Sequence, residues 1–137
     1  MTYEYFDTEN GLNSPEEYTL IFKAELSEYS SLSEFGYACA KTGYDYINER
    51  IKSHSPEYKP YPWEKYLEEF ITKPTPISFS CFLQMRKNSL FGVENTQPVL
   101  KETDIDFAMV FQNEWNDQLF VATLTDSYIG YWWQTDA

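Results

Sequence analysis

The amino-acid sequence predicts an α+β fold, in which N-terminal helices pack on one face of an antiparallel meander sheet of about four strands. Two observations carry this prediction. Apolar residues recur at helical spacing between residues 31 and 71, whereas from residue 77 onwards they alternate with polar residues, as in strands. The 137 residues fit a single domain, with a helical part over about 14–73 and a sheet part over about 77–135.

The first element, over residues 14–27, has two conflicting signals. Residues 14–17 (Ser-Pro-Glu-Glu) form a capping box with proline at the first helical position, which indicates a helix. Residues 18–27 alternate between apolar and polar side chains, broken only at Ile21, which indicates a strand. We favour a helix because two independent start signals coincide, and the strand remains the alternative.

The signals for the next element agree with one another and predict an amphipathic helix. Residues 31–34 (Ser-Leu-Ser-Glu) form a capping box, and the apolar spacing extends to about Lys52. Gly36, Ala40 and Gly43 share one side of this helix. Because these side chains are small or absent, we expect another element to approach the helix closely there.

A second amphipathic helix and the sheet complete the predicted fold. The helix begins near Trp63, continues to about Ile71 and ends before Pro74. Four later segments show the alternation or the β-branched and aromatic composition of strands: 77–85, 105–111, 119–124 and 128–133. Polar turns over 113–117 and 126–127 connect the last three, so we expect an antiparallel meander.

Charge is concentrated in two blocks. The chain has 22 Asp and Glu against 10 Lys and Arg, a net charge of −12. Residues 1–40 hold eight acids and one base, residues 41–101 seven acids and nine bases, and residues 102–137 seven acids and no base. Such a chain repels phosphate, so we expect neither direct nucleic-acid binding nor contact with an anionic membrane. A basic protein is the favoured partner.

Cysteine usage and the terminal sequence predict a cytoplasmic location. The first residues show neither the positive nor the apolar region of a secretory signal, and no apolar stretch is long enough to cross a membrane. Cys39 and Cys81 lie in apolar patterns, so we expect two buried thiols and no disulfide.

The sequence contains little evidence for a catalytic site. The single histidine, His54, lies in a hydrophilic run and is expected on a surface loop. The cysteines and this histidine lack the paired spacing of a zinc site. Asp104 and Asp106 would project together from a strand and could hold magnesium, but no glycine-rich loop accompanies them to bind a phosphate. We therefore expect no cofactor, no bound metal and no enzyme activity.

Acidic residues lie beside aromatic ones in the C-terminal segment. Tyrosine and tryptophan are common binding anchors, and carboxylates attract Lys and Arg. The residues expected to contact a partner are Asp104, Asp106, Glu114, Trp115, Asp117 and Asp126. In a meander, the first two share one end of the sheet with Asp126, whereas the other three share the opposite end with Asp136.

In its size, its acidity near both termini, its acid–aromatic clusters and its lack of a catalytic motif, the chain resembles the small acidic immunity proteins with which bacteria neutralise nuclease toxins. The resemblance covers the whole chain as a type and no stretch as a motif, so it assigns no residue a role. It implies an inhibitor whose carboxylates occupy the basic groove of a nucleic-acid-cleaving toxin. Three alternatives remain: a DNA mimic that blocks a defence enzyme, a small metal-dependent enzyme using Asp104 and Asp106, and an acidic accessory domain of a larger assembly.

Overall fold

A computed structural model describes residues 1–7, 17–91 and 94–135. Over these ranges the chain forms six strands and three α-helices, so the α+β class is confirmed. In chain order the elements are β1 (Thr2–Asp7), β2 (Glu17–Glu25), α1 (Leu32–His54), α2 (Trp63–Phe70), β3 (Thr75–Pro76), α3 (Phe79–Ser89), β4 (Ile105–Glu114), β5 (Asp117–Leu124) and β6 (Ser127–Thr135).

All six strands belong to one antiparallel sheet with the order β1-β2-β6-β5-β4-β3. Strands β4, β5 and β6 form the predicted meander. Strand β2 pairs with β6 along its whole length, from Glu17 opposite Thr135 to Glu25 opposite Ser127. The sheet has six strands against the four expected, because the N-terminal segment adds β1 and β2, the short β3 adds a third, and one predicted strand is a helix instead.

Residues 17–25 form strand β2, so the helix favoured for this segment is wrong. Leu20 and Phe22 face one side of the sheet and Ile21 faces the other, and all three are buried. Because β2 lies inside the sheet with both faces covered, a buried Ile21 does not interrupt a strand. Residues 14–16 of the capping box lie outside the described ranges.

Residues 79–89 form helix α3, so the strand predicted over 77–85 is also wrong. The Ser78 hydroxyl caps the helix by accepting a hydrogen bond from the Cys81 backbone N–H at 3.1 Å. Phe82 and Met85 are buried at helical spacing, whereas Cys81, expected to be buried, is exposed. The short apolar alternation over 77–85 fits both the two-residue period of a strand and the 3.6-residue period of a helix. The capping serine, Ser78, is the overlooked signal for a helix.

The core consists of two apolar layers, one on each side of the sheet. Helix α1 covers one face, and α3 covers the other. Major α1-face residues are Leu20, Phe22, Phe35, Cys39, Phe111 and Trp132, and major α3-face residues are Ile21, Phe82, Phe120 and Tyr131. The division into a helical part over 14–73 and a sheet part over 77–135 does not hold, since strands and helices occur in both parts.

The close approach expected at the small residues of α1 is confirmed. A Cβ atom on Gly36 would lie 2.2 Å from the Phe111 ring, and a Cβ atom on Gly43 would lie 2.0 Å from Trp132 Cε3. Both aromatic rings are almost completely buried. The helix therefore packs against the sheet through two glycines that accommodate aromatic rings.

We expect Gly43→Ala to destabilise the protein by about 1–3 kcal/mol, because the added methyl group overlaps a buried ring that cannot move into solvent. Urea unfolding measures this change. Thr42→Ala, one residue earlier on α1, is the control for a change of helix propensity. If Gly43→Ala instead raised the free energy of unfolding by about 1 kcal/mol, as this change does in an unobstructed helix, the packing described here would be contradicted.

Candidate functional site

The strand register places the candidate residues at two opposite ends of the sheet. In the antiparallel meander, the start of β4 lies beside the turn between β5 and β6. Asp104, Asp106 and Asp126 therefore share one end, and Glu114, Trp115 and Asp117 share the other. Asp136, expected at the second end, lies outside the described residues.

The first end also receives carboxylates from the N-terminal block. Glu25 ends β2 opposite Ser127, and the chain then turns through a 3₁₀ segment, Leu26–Glu28, into α1. We define the acidic end as Glu25, Glu28, Glu34, Glu102, Asp104, Asp106 and Asp126. From β2 to β4 it extends over three strand spacings, about 14 Å. The first three residues were missed because nothing in the sequence shows that β2 pairs with β6.

Backbone donors hold several of these carboxylates in position. Glu28 accepts from the Glu25 backbone N–H at 2.7 Å, and Asp104 accepts from the Lys101 backbone N–H at 2.8 Å. Glu28 also pairs with the amino group of Met1, the single salt bridge at this end among the described residues. Apart from Glu28, the carboxylates with described donors at this end are thus oriented by neutral groups, which leave their negative charge in place.

Apolar side chains lie beside the acidic end. Phe107 on β4 is 44% exposed, and Leu26 after β2 is 38% exposed. Tyr29 is half-buried between Phe35 and Tyr128, with ring centroids 5.6 and 6.3 Å away. The end therefore combines negative charge with apolar contact area, the two components of a protein interface that binds a charged surface.

The two aspartates proposed for magnesium do not lie on one strand. Asp104 is the last residue of a 3₁₀ turn, and β4 begins only at Ile105. The register shifts between Ile105 and Phe107, so the regular alternation needed to align two carboxylates is interrupted at Asp106. Within the described part of the chain, no group of three or more His, Cys, Asp or Glu residues could hold a metal ion.

At the opposite end, three of the acidic residues have partners within the protein. Asp7 pairs with Arg50 at 3.4 Å, and Glu17 accepts a hydrogen bond from the Trp133 indole at 2.8 Å. Asp117, expected on an exposed rim, has a partly buried carboxylate instead. Trp115 is 69% exposed on the turn between β4 and β5, beside Glu114. The two ends thus differ in how much of their charge faces outward.

Asp117 anchors a polar cluster beneath α2. Its two carboxylate oxygens accept hydrogen bonds from Trp132 Nε1 at 2.6 Å and Gln134 Nε2 at 2.9 Å. Burial raises the pKa of Asp117 to about 6, and the negative charge of Glu114 adds to this rise. Hydrogen bonds from Trp132, Gln134 and Gln112 act in the opposite direction, and burial prevails.

No family model, curated protein or solved structure matches the chain. None of the described helices combines the length and apolar character that crossing a membrane requires. The candidate site therefore rests on the geometry and charge of this chain.

The raised pKa of Asp117 predicts a pH-dependent stability. In the unfolded chain this carboxyl group returns to an ordinary pKa of about 3.9. Between pH 4 and 6, the folded protein holds a proton that the unfolded chain has released, so raising the pH lowers the free energy of unfolding. We expect the stability of the wild type relative to Asp117→Asn to fall by about 2–3 kcal/mol from pH 4 to pH 7.

Urea unfolding at a series of pH values measures this difference. The matched control is Asp126→Asn, which changes an exposed aspartate. A relative stability that stays constant over pH for Asp117→Asn, or that changes equally for both variants, would show that burial of Asp117 does not cause the effect.

Proposed function

We propose that the protein is an acidic inhibitor of the immunity type, which binds a basic protein through the acidic end of its sheet. The expected partner is a nucleic-acid-cleaving toxin. The observation that carries the proposal is that part of each acidic block meets at one end, where seven carboxylates from three segments lie near the exposed side chains of Phe107 and Leu26.

Electrostatics supports contact at this end over the opposite one. At the opposite end, Arg50 offsets the charge of Asp7, and the Asp117 carboxylate is partly buried, so fewer charges face solvent there. At the acidic end, the described donors are neutral N–H and O–H groups except for the Met1 amino group at Glu28, so the field of the other carboxylates extends into solvent. Such a field speeds association with a positively charged groove, to about 10⁸ M⁻¹s⁻¹ at low salt.

In the bound state, the carboxylates occupy positions that substrate phosphates would take in the toxin groove. Phe107 and Leu26 then supply apolar contact that slows dissociation. Across the strands, the acidic end is only about 14 Å wide. A mimic of duplex DNA would require a longer acidic stripe, so the geometry favours a groove-blocking inhibitor over that alternative.

The test uses purified basic nuclease toxin domains, with cleavage of plasmid DNA and total RNA as the readout. We expect an equimolar amount of the protein to stop cleavage by its cognate toxin. We also expect the association rate to fall at least about tenfold when salt rises from about 50 to about 300 mM, because salt screens the attraction.

A matched pair of variants tests the location of the contact. The triple variant Glu25→Gln, Asp106→Asn, Asp126→Asn removes three exposed carboxylates from the acidic end. Its control, Glu57→Gln, Glu64→Gln, Glu68→Gln, removes three exposed carboxylates near α2 and changes the net charge equally. We expect the first to slow association about tenfold or more and the second less than about threefold. Equal effects, or association that ignores salt, would contradict the proposal.

A further inference from the structure

A cleft of about 180 Å³ lies between the second half of α1, the loop before α2, the start of α2 and the end of β6. Its wall is largely aromatic: Tyr44, Tyr58, Tyr61, Tyr66 and Trp132 line it. The cleft lies near the sheet end that carries Asp117, away from the acidic end. It is therefore a separate feature from the surface proposed to bind a toxin.

A partly buried carboxylate, that of Asp117, lies behind this aromatic wall. Trp132 and Gln134 both line the cleft, and both donate hydrogen bonds to Asp117. None of the salt bridges among the described residues involves Asp117. Buried charges in proteins are usually paired, and this one is held by neutral donors. The cleft is thus backed by a negative charge for which the described chain supplies no cation.

Tyr66, in the wall of the cleft, contributes a buried hydroxyl group and an aromatic ring. The Tyr66 hydroxyl is buried and has no hydrogen-bond partner among the described residues. Burial and the nearby Asp117 raise the pKa of Tyr66, so the phenol stays neutral. Its ring lies 6.3 Å from that of Trp132 and 5.3 Å from that of Tyr44. Aromatic faces carry partial negative charge, so the wall and the buried carboxylate favour the same kind of ligand.

The fold itself places a cation against part of this aromatic cluster. The Lys41 ammonium lies 5.4 Å from the ring centroids of both Tyr44 and Trp63. Lys41 also pairs with Asp45 at 2.7 Å, on the outside of α1. Tyr44 thus already contacts one cation within the chain.

We propose that the cleft binds an arginine side chain presented by a partner protein. The volume is below the roughly 300–1,000 Å³ of sites that enclose a whole small ligand, so it suits one side chain. No basic residue is among the described residues that line the cleft, so a free amino acid would find no partner for its carboxylate there. Arginine fits better than lysine because its planar, weakly hydrated guanidinium group stacks on aromatic rings.

The test compares two peptides, acetyl-Gly-Arg-Gly-amide and the same peptide with citrulline in place of arginine. Citrulline has nearly the same shape and no charge. Both are titrated into the ¹⁵N-labelled protein while the indole N–H signal of Trp132 is followed by NMR. We expect the arginine peptide to shift this signal and to bind about fivefold or more tightly than the citrulline peptide. Equal affinities, or shifts that spare Trp132, would overturn the proposal.

Three variants locate the binding. Asp117→Asn removes the charge behind the wall, and Tyr61→Leu removes one exposed ring of the wall without touching the buried cluster. We expect each to reduce arginine-peptide affinity at least threefold. The acidic-end triple variant described above should bind the peptide as the wild type does; a loss in that variant would assign the peptide to the acidic end and refute the cleft. This outcome is independent of whether any toxin is inhibited.

Discussion

The pairing of β2 with β6 is the contact on which the rest of the structure depends. It joins the N-terminal strands to the C-terminal meander through backbone hydrogen bonds along nine residues of each strand. The pairing places β2 inside the sheet, where both of its faces are covered by apolar layers. It also brings Glu25 beside the turn that carries Asp126. One contact between the two ends of the chain therefore completes the core and creates the acidic end.

The gathering of like charges at one end has an energetic cost. Two carboxylates about 4 Å apart repel each other by about 1 kcal/mol even in water, and more where the solvent is partly excluded. A backbone N–H group reduces this cost at Asp104 without removing the charge, and the Met1 amino group offsets the charge of Glu28. The opposite end differs, since Asp7 pairs with Arg50 and the partly buried Asp117 is held by neutral donors. This electrical asymmetry would orient an approaching basic protein.

Trp132 connects the fold with the aromatic cleft. One part of its ring packs against α1 where Gly43 has no side chain, and its indole N–H binds Asp117. The ring also contributes to the cleft wall. The geometry of the cleft thus depends on the same close helix–sheet approach that closes the core. A change at Gly43 would alter both, whereas a change at the exposed Tyr61 would alter the cleft alone.

The sequence by itself determined the features that depend on neighbours along the chain: helices α1 and α2, the close side of α1 at Gly36 and Gly43, and the meander β4–β6 with its acidic turns. The sequence pattern alone led to the wrong assignment of the segments that form β2 and α3. Short apolar alternations fit both the period of a strand and that of a helix, and packing against distant segments decides which one forms. Only the tertiary structure decided that Asp117 is partly buried while Asp106 and Asp126 stay exposed. It also decided that Glu25 joins them, because burial and distant strand pairing arise from contacts between segments that are far apart in the chain.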